Sequence, residues 1–310
     1  MDRAGKILKL SCVHDHNILG NGIGIALFDT GLASVHPDFQ KNNKIVAFRD
    51  FVRGRTGCYD DSGHGTHVAG IAGGTGAASN GLYVGVAPAC HFIIVKILDQ
   101  HGNGSVENVL QGIDWVLKNK KKYGIRVANI SIGSGKEDQI SEESELVCAV
   151  NALWDAGIVV CVAAGNNGPT PGSIGAPGNS RKVITVGASD DRQEVVLNGR
   201  HLKNYSGRGP TRNCIKKPDL VAPGSRIVSC NAAFSNRGGG RGGNSFYTVK
   251  SGTSMATPMV SGAVALLLER YPEMTNREVK IRLKNRAVDL RLPHEEQGWG
   301  MLCVEQLLKG

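Results

Sequence analysis

Short apolar runs separated by longer helix-forming stretches are the feature that most narrows what this chain can fold into. Ile23–Asp29, Lys44–Phe48, His91–Leu98, Val127–Ile132, Gly157–Ala164 and Val183–Ala188, and later Arg226–Ser229, read as strands. Helices are expected to start near His64, Val106, Glu142, Ser254 and Asn276. Near-continuous apolar strands alternating with helices belong to a mostly parallel sheet covered on both faces, because each crossover lays a helix on the sheet. The Val106 stretch shows the helical period directly, with Val109, Leu110, Ile113, Val116 and Leu117 on one stripe. At 310 residues and 41% hydrophobic, the chain can bury one large core, and one domain is expected. Its 42 glycines and 5% aromatics suit close helix–sheet packing and tight turns.

In an open parallel sheet, ligands bind beyond the carboxyl ends of the strands, where helix N-termini also point. Asp29 ends an apolar run, and Asn166 follows the run ending Ala163-Ala164-Gly165. His64 and Ser254 stand at helix starts, so four chemically relevant groups converge on one crevice. A serine hydroxyl holds its proton at neutral pH and becomes a nucleophile only beside a base. Taken singly, His64 reads as a capping-region residue, Asp29 as a turn residue and Asn166 as part of the turn Asn166-Asn167-Gly168-Pro169. Taken together, Asp29 can orient His64, and His64 can take the Ser254 proton and return it to a leaving amine. The chain order Asp, His, Ser sets this sequence apart from hydrolases whose serine comes first within GxSxG, since the pentapeptide here is Gly252-Thr253-Ser254-Met255-Ala256.

The blocks Asp29-Thr30-Gly31, His64-Gly65-Thr66-His67-Val68-Ala69-Gly70, Gly85-Val86-Ala87-Pro88, Asn129-Ile130-Ser131-Ile132-Gly133, Ala163-Ala164-Gly165-Asn166, Gly207-Arg208-Gly209-Pro210, Lys217–Gly224 and Gly252–Pro258 follow one another between residues 22 and 270. In that order they resemble the subtilisin family of serine proteases. The resemblance implies a three-layer α/β fold, with a peptidase domain over residues 22–310 and residues 1–21 as an N-terminal extension. It implies a serine endopeptidase with Asp29, His64 and Ser254 as catalytic residues, and with Asn166 and the Ser254 backbone N–H as oxyanion donors. An extended peptide would add as a strand between Gly102-Asn103-Gly104 and Ser131-Ile132-Gly133. Ser131–Gly133 and Ala163-Ala164-Gly165 would wall a pocket with room for a large apolar P1 side chain, its floor shaped by Thr170–Gly178.

Secreted members carry a strong calcium loop and a prodomain. The matching stretch here, Gly73–Tyr83, is rich in Gly and Ala and poor in carboxylates, so that calcium site is not expected, and catalysis is expected to need no cofactor. Only 28 residues precede Asp29, which fits either the cytoplasmic bacterial branch or a secreted enzyme whose leader and prodomain are not in this sequence. The polar start and the absence of an 18-residue apolar run favour the cytoplasm and no membrane association. Eight scattered cysteines without CxxC spacing read as reduced thiols. Cys12, His14 and His16 alternate as strand ligands would but lack a fourth ligand, and His67 lacks the His-Glu-x-x-His pattern, so no metal is assigned. The partner is expected to be a peptide or protein substrate; the oligomeric state is left open. Nucleic acid is not expected, since Arg237–Asn244 offers too few cations despite a net charge of +9. The intact set of four residues argues against a peptide-binding protein that has lost catalysis.

Overall fold

The structure is a computed structural model describing residues 1–41, 43–132, 144–197, 199–234 and 245–309. Its strands are β1 (Gly24–Asp29), β2 (Ile45–Asp50), β3 (His91–Lys96), β4 (Ile125–Ile130), β5 (Val159–Ala163), β6 (Ile184–Ala188), β7 (Val195–Leu197), β8 (Arg200–Leu202), β9 (Leu220–Ala222), β10 (Ile227–Cys230) and β11 (Tyr247–Lys250). The α-helices are α1 (Asp2–Leu8), α2 (Ser11–His14), α3 (His64–Gly73), α4 (Val106–Asn119), α5 (Glu145–Asp155), α6 (Thr253–Arg270), α7 (Asn276–Arg286), α8 (His294–Gln297) and α9 (Val304–Leu308).

Seven strands form the central sheet in the order β2-β3-β1-β4-β5-β6-β9, all parallel. After β1 the chain builds toward one edge with β3 and β2, then returns to the other side of β1 with β4. The strand order therefore reverses at β1, and a crevice opens beyond the carboxyl ends of the central strands. Helices cover both faces. Gly112 of α4 packs on Phe28 and Val95, while the Ser261 hydroxyl of α6 donates to Asn129 Oδ1 at 2.9 Å. Phe28 pairs in register with Ile130, so the neighbouring Asn129 side chain points to the opposite face.

Six of the expected strands lie in this sheet, with ends differing by one or two residues. Arg226–Ser229 does not join them. Its counterpart β10 pairs antiparallel with β11 in a separate ribbon, and the sheet's seventh place is taken by Leu220–Ala222. That strand has only three residues and stands between Pro218 and Pro223, too short for any apolar period to mark it. The helix expected near Glu142 begins at Glu145, where the Ser144 hydroxyl accepts the Val147 N–H as N-cap; Glu142 itself lies outside the described residues. Residues 1–21 form α1 and α2, which bury Met1, Ala4, Leu8, Leu10 and Val13 in the main core.

The centre of the fold is α6. Every residue from Met255 to Leu268 is buried, so this helix has no polar face and packs against β4, β5, β6 and α3 at once. Close approach to α3 depends on Gly262: a Cβ there would stand 2.6 Å from Val86 Cβ and 2.8 Å from the Ala72 carbonyl oxygen of α3. Gly262→Val is therefore expected to destabilise the protein by about 1–3 kcal/mol through overpacking. A lowered urea midpoint with an unchanged m-value would register this, and an unchanged midpoint would show that the helices can separate freely.

Candidate active site

Four adjacent strands of the sheet, β3, β1, β4 and β5, end at the crevice, and each passes a site segment into the loop beyond it. Strand β1 delivers Asp29 as its last residue, and β3 leads through Leu98 to the exposed turn Gly102-Asn103-Gly104. Strand β4 leads to Ser131 and Ile132, and β5 leads through Ala164 and Gly165 to Asn166. From the other direction, α3 begins at His64 and α6 begins at Thr253, so Ser254 sits in its first turn.

Asp29 is 1% exposed, and its Oδ1 accepts the Thr30 N–H at 2.8 Å and the His64 Nδ1–H at 2.7 Å. The carboxylate therefore sets the imidazole tautomer and leaves the Nε2 lone pair free to accept a proton. Burial opposes the charged imidazolium, but the charge and hydrogen bond of Asp29 outweigh it and hold the His64 pKa above its ordinary 6.5. Lys250, at the end of β11, works against Asp29, and Asp60 works with it. One turn along α3, His67 is fully buried, with Nε2 directed at the Ile227 and Thr248 carbonyls. Desolvation first, then Lys250 and His64, lower its pKa to about 3, so it stays neutral.

The Ser254 hydroxyl lies within 3.2 Å of the Ser131 carbonyl oxygen and donates to it. Rotation about its Cα–Cβ bond is what would turn Oγ toward His64. The helix carrying it is shaped for exposure at this end. Gly252, its N-cap, has φ 136°, a conformation that favours glycine. Pro258 lacks the N–H that would bond to the Ser254 carbonyl four residues back, and the Ser131 hydroxyl reaches that carbonyl at 3.4 Å instead. Asn166 is anchored by its oxygen, since Oδ1 accepts both the Thr253 N–H (2.9 Å) and the Thr253 hydroxyl (3.1 Å). A backbone donor thus fixes the amide orientation, and both Nδ2 hydrogens lack a partner among the described residues at the head of α6.

A cleft of 540 Å³ gathers His64, Ser254, Asn166, Gly102, Asn103, Gly104, Ser131 and Ile132, with Leu98, Val106, Val109 and Leu146 as apolar wall. Ala163, Ala164 and Gly165, expected as a pocket wall, do not line it: the first two are buried. Gly133 and Arg237–Asn244 lie outside the described residues, apart from what the sequence says of them. Asp99 shapes the Gly102 turn: its N–H donates to the Asn103 carbonyl at 2.8 Å, and its Oδ1 accepts the His101 and Asn103 N–H groups.

Reading the sequence singled out neither Asp60 nor Lys96. Asp60 Oδ1 accepts the Thr30 hydroxyl and the Ser62 and Gly63 N–H groups, while Oδ2 accepts the Thr66 N–H and hydroxyl. Burial pushes this carboxyl up, but those hydrogen bonds outweigh it and hold its pKa below the usual value. Lys96, fully buried and paired in register with Asp29, donates to the Thr30 and Leu98 carbonyls and to Asp61 Oδ1. A carboxylate shortly before a glycine and a helix start is a capping signal that would have marked Asp60. No local pattern marks Lys96, which reads as one more strand residue.

Among the described residues, the one group with three possible metal ligands is His36, Asp38 and Cys230. Each is already engaged. Asp38 accepts the Gly76 and Ala78 N–H groups and the Tyr247 hydroxyl, His36 Nδ1 accepts the Asp38 N–H, and the Cys230 thiol points at Asp38 Oδ2. The Gly73–Tyr83 loop thus wraps a carboxylate with backbone donors, the reverse of the oxygen cage that calcium needs. Cys12 and His14 belong to α2 and not to a strand, and the His14 ring hydrogen-bonds to the Val86 carbonyl.

The profile described as the subtilase family matches residues 20–300. Serine protease AprX of Bacillus subtilis (strain 168) is 41% identical over 277 residues, which is 86% of this chain and 62% of AprX. Subtilisin Savinase of Lederbergia lenta is 35% identical over 284 residues, covering 91% of this chain and 90% of Savinase. The solved structure of a cold adapted subtilisin-like serine proteinase superposes with a TM-score of 0.73 at 29% identity, covering 93% of this chain and 90% of that one.

Followed by NMR of its ring nitrogens, His64 is expected to titrate with a midpoint above 6.5, moving lower in Asp29→Asn and higher in Lys250→Met. A midpoint at or below 6.5 in the unaltered chain would mean that burial and Lys250 together dominate over Asp29.

Proposed function

The chain belongs to the subtilase family, and from that premise we propose that it is a serine endopeptidase acting through Asp29, His64 and Ser254. The reading rests on one observation above all: a histidine held by a buried carboxylate at 2.7 Å shares a cleft with a serine at a helix start. In the proposed reaction Ser254 Oγ attacks the peptide carbonyl carbon while His64 Nε2 takes its proton. The oxyanion is stabilised by Asn166 Nδ2 and the Ser254 backbone N–H, helped by the positive end of the α6 dipole. His64 then gives its proton to the departing amine, and water, activated by the same nitrogen, releases the acyl group.

The substrate is a peptide or protein chain bound in extended form between Gly102–Gly104 and Ser131–Ile132. Its P1 side chain is large and apolar, received beside Ser131 and Ile132, and the small buried residues Ala163 and Ala164 would leave room for it behind that wall. No nucleic acid and no membrane takes part in this reading; no described helix is long and apolar enough to cross a bilayer. A cytoplasmic setting is proposed from the eight cysteines, which form no disulfide among the described residues. No cofactor is invoked, and the Asp38 carboxylate, saturated by hydrogen bonds, argues against calcium in the Gly73–Tyr83 loop.

A fluorophosphonate probe is expected to label Ser254, and Ser254→Ala to abolish labelling and turnover while the fold stays intact. Asn166→Ala should still be labelled, yet lose roughly 10²–10³ in kcat, the scale found for this donor in subtilisin itself. Turnover by Ser254→Ala at the unaltered rate would sink the assignment. Chelation with EDTA is expected to leave peptide hydrolysis essentially unchanged. Rapid inactivation by the chelator would show that a divalent cation holds the site together.

A further inference from the structure

The cavity that holds His64 and Ser254 continues past them. A second groove, of 430 Å³, is floored by Val196 and Val249 and shares Lys250 and Ser251 with the first. It includes neither the Gly102–Gly104 turn nor Ser131–Ile132, so it joins the cleft at the end those segments do not wall. Val196 and Val249 are 58% and 57% exposed, an apolar strip beside the candidate active site.

Positive charge predominates in the two cavities, with Lys250 at their junction and Arg226 in the second against a single carboxylate among the described lining residues. No Asp or Glu lines the first cleft among the described residues. The carboxylate in the second groove, Glu194, accepts a hydrogen bond from His201 at 2.8 Å, and Arg226 stands beside it. Lys250 is half-buried at the junction, and among the described residues no carboxylate pairs with it. The ammonium also acts on His64. Because His64 passes its proton to the departing amine, the cation beside it stands where the chain after the scissile bond must leave.

We infer that the second groove receives the part of a peptide substrate that follows the scissile bond, and that Lys250 selects an acidic side chain there. The inference rests on the endopeptidase reading above. A substrate carboxylate would meet a half-buried ammonium that has no carboxylate partner among the described residues, whereas a lysine at the same place would face repulsion.

The test uses internally quenched peptides identical up to the scissile bond and carrying Glu, Gln or Lys at each of the first three positions after it. At one of these positions kcat/KM is expected to be about tenfold higher for Glu than for Lys, since attraction and repulsion both enter the comparison. The ratio should fall near one in Lys250→Gln, invert in Lys250→Glu and shrink at high salt. A flat ratio at all three positions, or one that Lys250→Glu leaves unchanged, overturns the inference. A chromogenic peptide anilide, which has no residue after the scissile bond, reports the endopeptidase reading separately. Anilide hydrolysis with a flat Glu to Lys ratio defeats only the groove, whereas no hydrolysis of either substrate defeats both.

Discussion

The arrangement of this site depends on one half-buried carboxylate, Asp60, that does not line the cleft. Asp60 collects five donors from three segments: the Thr30 hydroxyl just past β1, the Ser62 and Gly63 N–H groups before α3, and the N–H and hydroxyl of Thr66 within it. The Thr30 oxygen in turn accepts the Gly65 N–H at 2.9 Å. A helix start leaves its first N–H groups without partners inside the helix, and a carboxylate there is favoured by both the hydrogen bonds and the helix dipole. Asp60 supplies that need for α3 and also ties the helix to the end of β1. His64 therefore arrives against Asp29 as a consequence of capping, before any chemistry is considered.

The same logic governs the serine. A helix as apolar as α6 must lie in the middle of the protein, and its first turn then points out of the sheet where the strands end. Gly252 and Pro258 bracket Ser254, one permitting the sharp entry and the other freeing a carbonyl that Ser131 satisfies. Asn166, which lines the cleft, spends its oxygen on Thr253, and among the described residues its amide hydrogens have no partner. Donors held this way need no rearrangement when charge develops nearby, the condition under which electrostatic stabilisation is strongest.

Electrostatically, His64 sits between Asp29, which favours its protonated form, and Lys250, which disfavours it. Such opposition would keep His64, in the role of base proposed for it, from being trapped as a cation. Lys250 belongs to the β10–β11 ribbon and not to the central sheet, so the element that tempers the base also forms the wall of the second groove. Catalytic tuning and the recognition proposed for the departing half of the substrate would then share one side chain.

Much of this was legible in the sequence. Six sheet strands, the starts of α3 and α6, and the places of Asp29, His64, Asn166 and Ser254 at strand ends and helix starts follow from local apolar periods and punctuation, which depend on neighbours in the chain. Family membership follows from the same motif blocks. Strand β9 was not legible, because three residues between prolines carry no period and are held by pairing with β6 on one side and by the bridge from Val221 to Met301 on the other. The ribbon fate of Ile227–Cys230 was not legible either, because an apolar run does not state its partner. Asp60, Lys96 and Lys250 act through atoms that are distant in sequence, such as the Thr30 hydroxyl, the Thr30 carbonyl and the His64 ring. The sequence alone determined six strands of the central sheet, the starts of its main helices and the family. Only the tertiary structure decided which charges face one another, because electrostatic and hydrogen-bond energies depend on distances through space that chain order does not encode.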